Sequence, residues 1–280
     1  MPDPGYDVAV CWRIYPGVSK DPLFFKEDKY RLARLSFLSF LKSAEGLRIK
    51  YFILLDGCPD SFESIFTENV PSADIELIRT SSIGNASTFR RQTEILSRQT
   101  DASLVYFAED DYLYRPFVFG KMVSFFKNGK PVDFITPYDH LDYYEHSLHR
   151  KKGEEIFFEE LKWKTVASTC LSFLTTKENL TETLPVLLSY CSGNTDGSMW
   201  VTLTRRFAVI DLIKYLFTNK ECYFILKKAM KYSFWKFLSG KKYYLWCPVP
   251  AVATHLESGH ISPGIDWNNV KDEILKESNC

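Results

Sequence analysis

Residues 104–114 read LVYFAEDDYLY and carry the strongest indication of the fold. The first five residues form an apolar run of strand length, which is typical of a strand that is buried on both faces. The run ends in three consecutive carboxylates, Glu109, Asp110 and Asp111. Such carboxylates repel one another unless a cation or hydrogen-bond donors offset their charge. The segment therefore predicts a buried strand that ends in a cation site, with an acidic turn in solvent as the alternative.

The sequence upstream of this stretch alternates between strand and helix patterns. Apolar runs of strand length occupy residues 7–14, 49–55, 74–79 and 104–108, and helix patterns occupy residues 26–44, 61–69 and 87–100. This alternation predicts a mostly parallel central sheet that is flanked by helices. Ligands bind at the carboxyl ends of the strands in such sheets. Asp56 directly follows the second run, so we expect it to face the same crevice as the three carboxylates.

The second half of the chain is less regular. Residues 132–136 and 166–175 resemble strands, and residues 245–253 form an apolar segment. Residues 205–246 form a basic and aromatic portion that we expect to be helical. No linker, internal repeat or low-complexity tract divides the sequence. We therefore predict one α/β domain over residues 1–280.

The composition excludes several function classes. The 35 basic and 35 acidic residues give a formal net charge of zero, which argues against a dedicated nucleic-acid-binding protein. No apolar run approaches the roughly 18 residues of a membrane span. The seven cysteines include no C-x-x-C pair, and residues 1–7 show no basic and apolar leader. These features predict a cytoplasmic protein with reduced thiols.

Four segments, taken in order, resemble the nucleotide-sugar-dependent glycosyltransferases of the GT-A fold, especially their family-2 group. The segments are FILLDGCPD at 52–60, IGNASTFRRQTEIL at 83–96, LVYFAEDDYLY at 104–114 and AVATHLESGHISPGIDW at 251–267. The resemblance covers most of residues 7–267. It implies a Rossmann-like domain in which residues 7–115 bind the nucleotide sugar and residues 130–267 face the acceptor.

The same resemblance assigns the acidic residues of the donor site. Asp111 would be a ligand of the divalent metal, and Glu109 and Asp110 would lie against the ribose or the base, with the register open by one position. Asp56 would contact the nucleotide base. An acidic turn in solvent remains the alternative for residues 109–111.

Other segments would complete the donor site. Asn85, Arg90 and Arg91 lie where a helix begins, and a helix N-terminus with arginines suits a diphosphate. Because adjacent helical residues point about 100° apart, we expect only one of the two arginines to face the site. The resemblance makes His255 a second metal ligand. Carboxylate, imidazole and phosphate ligands suit Mn²⁺, with Mg²⁺ as the alternative.

The catalytic base is predicted in the segment YCSGNTDGSMW at 190–200. It resembles an acidic acceptor-side motif, although Thr195 and Asp196 stand where the family has a Glu-Asp pair. Asp196 would deprotonate the acceptor hydroxyl, and its alternative role is to cap the next helix. The sequence thus predicts a metal-dependent enzyme that transfers a sugar from a nucleoside-diphosphate donor, most commonly UDP-linked in the family, with inversion. A nucleotidyltransferase and a non-catalytic carbohydrate-binding protein remain the alternatives.

Two further segments bear on partners. Residues 138–150 contain His140, His146 and His149 and suit either an acceptor-side loop or a solvated connection. Residues 205–246 hold ten basic, two acidic and twelve aromatic side chains, a net charge of +8. This composition suits a membrane-surface element, but we favour the simpler reading in which the aromatics pack on the core and the lysines face solvent. The expected partners are a nucleotide-sugar donor and a glycan or glycolipid acceptor, and no nucleic acid.

Overall fold

The computed structural model describes residues 5–18, 21–128 and 131–277, which form eleven strands and ten α-helices. The strands are β1 (Val8–Ile14), β2 (Ile49–Asp56), β3 (Ile75–Thr80), β4 (Leu104–Glu109), β5 (Tyr112–Tyr114), β6 (Phe134–Ile135), β7 (Glu155–Phe158), β8 (Leu161–Thr165), β9 (Phe173–Thr176), β10 (Leu245–Val249) and β11 (Ala253–His255). The helices are α1 (Lys29–Ser43), α2 (Ser64–Thr67), α3 (Asn85–Arg98), α4 (Phe119–Asn128), α5 (Asp142–Glu145), α6 (Lys177–Leu187), α7 (Asp196–Thr204), α8 (Val209–Thr218), α9 (Lys220–Ser239) and α10 (Trp267–Glu277).

Nine of these strands form one sheet with the order β3-β2-β1-β4-β9-β6-β10-β8-β7. The pairings of β3, β2, β1 and β4 are all parallel. Only β8 and β9 among the nine run against the common direction. The predicted α/β architecture with a mostly parallel central sheet is confirmed, and both halves of the chain contribute strands to it. The remaining strands, β5 and β11, pair with each other.

The centre of the sheet is buried on both faces because β1 alternates between two packed layers. Val10 and Trp12 pack against α1, whereas Ala9 and Cys11 pack against α3, and all four are fully buried. A strand in this position has no solvent-facing side, which explains the unbroken apolar run that the sequence shows.

The helix boundaries and the second half differ from the predictions in detail. Helix α1 begins at Lys29 because the Asp28 side chain accepts a hydrogen bond from the Arg31 amide. Of the run at 166–175, only the end belongs to a strand, Phe173–Thr176. The hairpin of β7 and β8 was missed. Residues 205–246 are largely helical, as expected, and contain α8 and α9.

Six of the seven cysteines lie in the described residues, where each is a free thiol, and Cys280 lies outside them. The N-terminal residues 1–4 also lie outside the described residues. In the described part of the chain, no helix combines the length and apolar character needed to cross a membrane.

Candidate functional site

A cavity of about 400 Å³ lies where β1, β2 and β4 end, and we call it the carboxylate cavity. Its volume is within the range of small-molecule sites. Six of the nine site residues predicted from the sequence line it, and the full lining is Arg13, Ile14, Tyr15, Asp56, Gly84, Asn85, Thr88, Glu109, Asp110, Asp111 and His255. The parallel strands explain the grouping, because their carboxyl ends meet at one edge of the sheet.

Asp111 and His255 are brought together by the short pairing of β5 with β11. In this pairing Tyr112 stands opposite His255, and the backbone carbonyl of Asp111 accepts a 2.7 Å hydrogen bond from the Leu256 amide. As a result His255 Nε2 lies 3.3 Å from Asp111 Oδ2. Two side chains that are 144 positions apart in the sequence thus share one corner of the cavity.

The two side chains form an ion pair. Burial raises the pKa of Asp111, but the charge and hydrogen bond of His255 outweigh this and lower the pKa to about 2. Burial lowers the pKa of His255, and the attraction of Asp111 reverses this and raises the pKa to about 9. A cation that binds the imidazole nitrogen must therefore displace a proton.

The two side chains offer donor atoms of the kind that divalent cations bind. Asp111 Oδ1 and His255 Nδ1 are buried, and neither has a hydrogen-bond partner among the described residues. Metal ligands that lie about 2.1 Å from an ion and at right angles to each other are about 3 Å apart, close to the 3.3 Å between His255 Nε2 and Asp111 Oδ2. Within the described ranges, no group of three or more His, Cys, Asp or Glu residues could hold a metal ion. An ion at this pair would need further ligands from a bound phosphate or from water.

Glu109 is paired with Arg13 rather than directed at solvent. The Arg13 guanidinium donates to the Glu109 carboxylate, whose other oxygen accepts a 3.0 Å hydrogen bond from Ser172 Oγ. Arg13 also donates to the side chain and, at 3.1 Å, to the backbone carbonyl of Asn85. Burial lowers the pKa of Arg13, but Glu109 outweighs burial, so the pKa is raised. Arg13 thus connects β1 to the start of α3.

Asp110 has a separate cation. Its Oδ2 lies 2.8 Å from Lys29 Nζ, and both side chains are almost fully buried. Burial raises the pKa of Asp110 to about 6 against the opposing effect of Lys29. Each of the three consecutive carboxylates therefore has its own cationic partner, and the alternative of an acidic turn in solvent is wrong.

Sequence reasoning missed both Arg13 and Lys29. For Arg13 a signal was available, because it is the one charged residue of the strand Val8–Ile14 and lies one position before the strand ends. Lys29 gave no such signal, because a lysine at the start of an amphipathic helix is usually solvated.

Asp56 organises the loop that leads into α3. Its carboxylate accepts hydrogen bonds from Thr80 Oγ1 at 2.8 Å, the Ile83 amide at 2.7 Å and the Gly84 amide at 2.9 Å. This loop makes Gly84 the N-cap residue, with a φ of 83°. Helix α3 therefore begins at Asn85, two residues before the helix pattern at 87–100 that the sequence shows.

Arg90 and Arg91 lie outside the lining of the carboxylate cavity, on the exposed face of α3. The helix buries Phe89 and Gln92 against the sheet, and a rotation of about 100° per residue then turns the two arginines away from it. Arg91 instead pairs with Glu94 at 3.1 Å. The arginine that the structure places at the cavity is Arg13.

Asp196 stands at the first position of α7, outside the lining of the carboxylate cavity. The N-cap of this helix is Thr195, whose side chain accepts from the Ser198 amide, so the capping alternative for Asp196 is wrong. Burial raises the pKa of Asp196, the Gly197 amide lowers it in part, and Glu109 raises it further.

Two smaller cavities contain Asp196. One adjoins the carboxylate cavity through their shared residue Asn85. The other has a volume of about 200 Å³ and also contains His140, His146 and His149, so we call it the histidine cavity. Residues 138–150 thus line a polar cavity beside Asp196.

Comparisons with known proteins describe the backbone only. No protein-family model matches the chain, and no curated protein sequence is significantly similar to it. Among solved structures, the chain is similar to the galactosyltransferase LgtC in complex with donor and acceptor sugar analogs, at 7% identity over 97% of this chain and 95% of that one, with a TM-score of 0.48.

Two other solved structures are similar over shorter regions. Residues 1–349 of S. aureus TarS match at 9% identity over 70% of this chain and 55% of that one, with a TM-score of 0.44. Glucosyl-3-phosphoglycerate synthase from Mycobacterium tuberculosis, in complex with Mg²⁺ and uridine diphosphate, matches at 10% identity over 76% and 66%, with a TM-score of 0.38. At these identities the function of this chain must be argued from its own residues.

Proposed function

We propose that this chain is a metal-dependent GT-A glycosyltransferase that moves a sugar from a nucleoside-diphosphate donor to an acceptor hydroxyl. The observation that carries the proposal is the corner of the carboxylate cavity where Asp111 and His255 meet. There Asp111 Oδ1 is buried without a hydrogen-bond partner among the described residues, and Oδ2 of the same carboxylate lies 3.3 Å from His255 Nε2. Such a pair suits an ion that also takes phosphate oxygens.

Asp111 and His255 would hold Mn²⁺ or Mg²⁺. When bound, the ion supplies positive charge that neutralises the leaving diphosphate. Asp111 contributes a carboxylate that is ionised over the whole neutral range, since its pKa is lowered to about 2. His255 contributes a nitrogen ligand once its proton is lost.

The remaining lining would hold the donor. The N-terminus of α3 at Asn85 suits a diphosphate because the first backbone amides of a helix have no acceptor within the helix. Arg13 adds positive charge beside it, in the role that the sequence suggested for Arg90 or Arg91. We assign Asp56, Glu109 and Asp110 to the nucleoside side of the cavity, and UDP is the nucleotide we favour.

Asp196 is our candidate base for an inverting reaction. The acceptor hydroxyl oxygen would form a bond to the anomeric carbon as the bond from that carbon to the diphosphate oxygen breaks, and the hydroxyl proton would pass to Asp196. Burial raises the pKa of Asp196, which makes its carboxylate a stronger base. In this arrangement the chain is a single domain in which residues 7–115 bind the donor and residues 130–267 receive the acceptor.

The test is turnover of the Asp196→Asn variant. With UDP-sugars and Mn²⁺, we expect the variant to keep its affinity for UDP and to lose about 10²- to 10⁴-fold in UDP release, because only proton transfer is removed. The matched control is Asp60→Asn, which alters a carboxylate that is 96% exposed. Full activity of Asp196→Asn would eliminate Asp196 as the base. Metal-dependent UDP binding by the unmodified protein, with no hydrolysis or transfer of any nucleotide sugar, would instead favour a non-catalytic protein.

A further inference from the structure

Helices α8 and α9 expose an unusual number of large apolar side chains. Eight of the thirteen exposed large apolar residues in the described part of the chain lie on these two helices. We call them the α8–α9 surface: Val209, Ile210, Ile213, Leu216, Phe217, Phe224, Phe234 and Trp235. Soluble monomers rarely group apolar side chains in this way unless the surface binds something.

Helix α8 is apolar on the side that faces away from the protein. At 100° per residue, its five members of the α8–α9 surface fall within an arc of about 120°. The buried side of the same helix carries Asp211 and Tyr215. A helix whose outward face is the more apolar one is not explained by packing on its own domain.

Packing on the core accounts for only part of the aromatic content of residues 205–246. Phe207, Tyr215 and Phe237 are buried, as the simpler reading of the sequence expects. Phe217 and Trp235, however, are 81% and 75% exposed. Packing on the core therefore does not explain why the side chains of the α8–α9 surface are exposed.

Charge indicates what the partner is. Residues 209–239 contain six lysines, Lys214, Lys220, Lys227, Lys228, Lys231 and Lys236, and only two acidic residues, Asp211 and Glu221. Asp211 is already paired with Lys151, 2.7 Å away. A second copy of this chain would present the same positive charge and be repelled. An anionic lipid membrane offers both an apolar interior for the exposed side chains and negatively charged headgroups that attract the lysines.

We infer that the α8–α9 surface docks on an anionic lipid membrane, with α8 lying in the plane of the interface. Helices of this type bury their apolar face among the acyl chains and leave their basic side chains among the headgroups. The docking itself is independent of the enzymatic proposal. One consequence rests on that proposal: because Glu221 and Ile225 of α9 line the histidine cavity together with Asp196, a docked molecule would receive a membrane-bound acceptor beside the candidate base.

Flotation of the full chain with lipid vesicles tests the inference. We expect flotation with phosphatidylcholine vesicles that contain phosphatidylserine, weak flotation with phosphatidylcholine alone, and a loss of binding as salt is raised. The double variant Ile213→Ser/Phe217→Ser should bind at least about tenfold more weakly, since it removes two apolar side chains from the interface. The matched control is Phe157→Ser, because Phe157 is equally exposed at 82% but lies on β7, outside the α8–α9 surface.

A charge series separates the electrostatic contribution. Lys227→Glu/Lys231→Glu should reduce flotation and make the remaining binding less dependent on salt, whereas Lys276→Glu on α10 should not. Thermal unfolding of each variant checks that the fold is intact, and we expect no change because the altered side chains are exposed. Absence of flotation at low salt would overturn the inference. So would flotation that is equal for the double variant and the unmodified chain, or a dimer in solution that Phe217→Ser disrupts.

Discussion

The ionic contacts around residues 109–111 show how a cluster of carboxylates is kept in a buried position. Glu109 pairs with Arg13, Asp110 with Lys29 and Asp111 with His255. Buried ion pairs of this kind add little net stability when they are intact, but removal of one partner leaves an uncompensated charge. This asymmetry makes the cluster testable by mutation.

Substitution of Arg13 tests whether its main role is to neutralise Glu109. We expect Arg13→Met to lower the free energy of unfolding by about 3 kcal/mol, because the Glu109 carboxylate remains buried without its partner. The double variant Arg13→Met/Glu109→Gln should regain a large part of this loss. Urea denaturation of the single and double variants measures the coupling. Additive losses would mean that Arg13 acts independently of Glu109.

His149 makes stability depend on pH in the acidic range. Burial, together with the positive charges of His146 and Arg206, lowers the pKa of His149 to about 3. The unfolded chain therefore binds a proton at this residue below about pH 6.5, while the folded chain does not. Above about pH 6.5 the titration of His149 costs no stability. As the pH falls from there towards 3, it lowers the free energy of unfolding by at most about 1.4 kcal/mol per pH unit. His149→Gln should remove this contribution to the slope when the free energy of unfolding is measured between those values. An unchanged slope would contradict the assignment.

At the scale of single elements, the turn after β2 positions the start of α3. Gly57 has a φ of 68°, and a Cβ atom added there would meet Ser82 Oγ at 2.1 Å. The Gly57 amide also donates to the Thr80 carbonyl at 2.9 Å. These contacts, with those of Asp56, set the path of residues 80–84 along the edge of the carboxylate cavity.

Gly57→Ala should disturb this loop. The matched control is Gly46→Ala, because Gly46 also has a positive φ, 90°, but an added Cβ would meet no atom within 4 Å. Both substitutions place an alanine at a positive φ, which costs about 1–2 kcal/mol. Only Gly57→Ala adds the collision with Ser82. We expect Gly57→Ala to lower the free energy of unfolding more than the control and to weaken nucleotide binding. Equal losses in the free energy of unfolding for the two variants would contradict this, because they would show that Ser82 moves aside without loss of stability.

Physical reasons explain which elements and site residues could be predicted from the sequence. The strands β1, β2 and β4 are buried on both faces, so their apolar runs were visible, and the positions of Asp56 and Asp111 at the carboxyl ends followed. The hairpin of β7 and β8 was missed because its strands are partly exposed and mix charged with apolar residues. The cationic partners of the carboxylates could not be derived, since they depend on which strands become neighbours.

At the scale of the whole molecule, the fold brings distant segments to one cavity and separates charge between two regions. The carboxylate cavity draws residues from position 13 to position 255. The formal net charge of zero is a balance between the +8 of residues 205–246 and an acidic excess elsewhere. Part of that excess is the cluster at 109–111, where a nucleotide-bound cation is proposed to bind.

Calorimetry of UDP binding with and without Mn²⁺ tests the proposed donor site most directly. The proposal predicts that Mn²⁺ strengthens UDP binding at least about tenfold, and that Asp111→Asn abolishes this gain because the carboxylate ligand is lost. Asp60→Asn, a change to an exposed carboxylate, should retain it. Binding of UDP that is equal with and without Mn²⁺, or a gain that survives in Asp111→Asn, would contradict the proposed metal-dependent donor site.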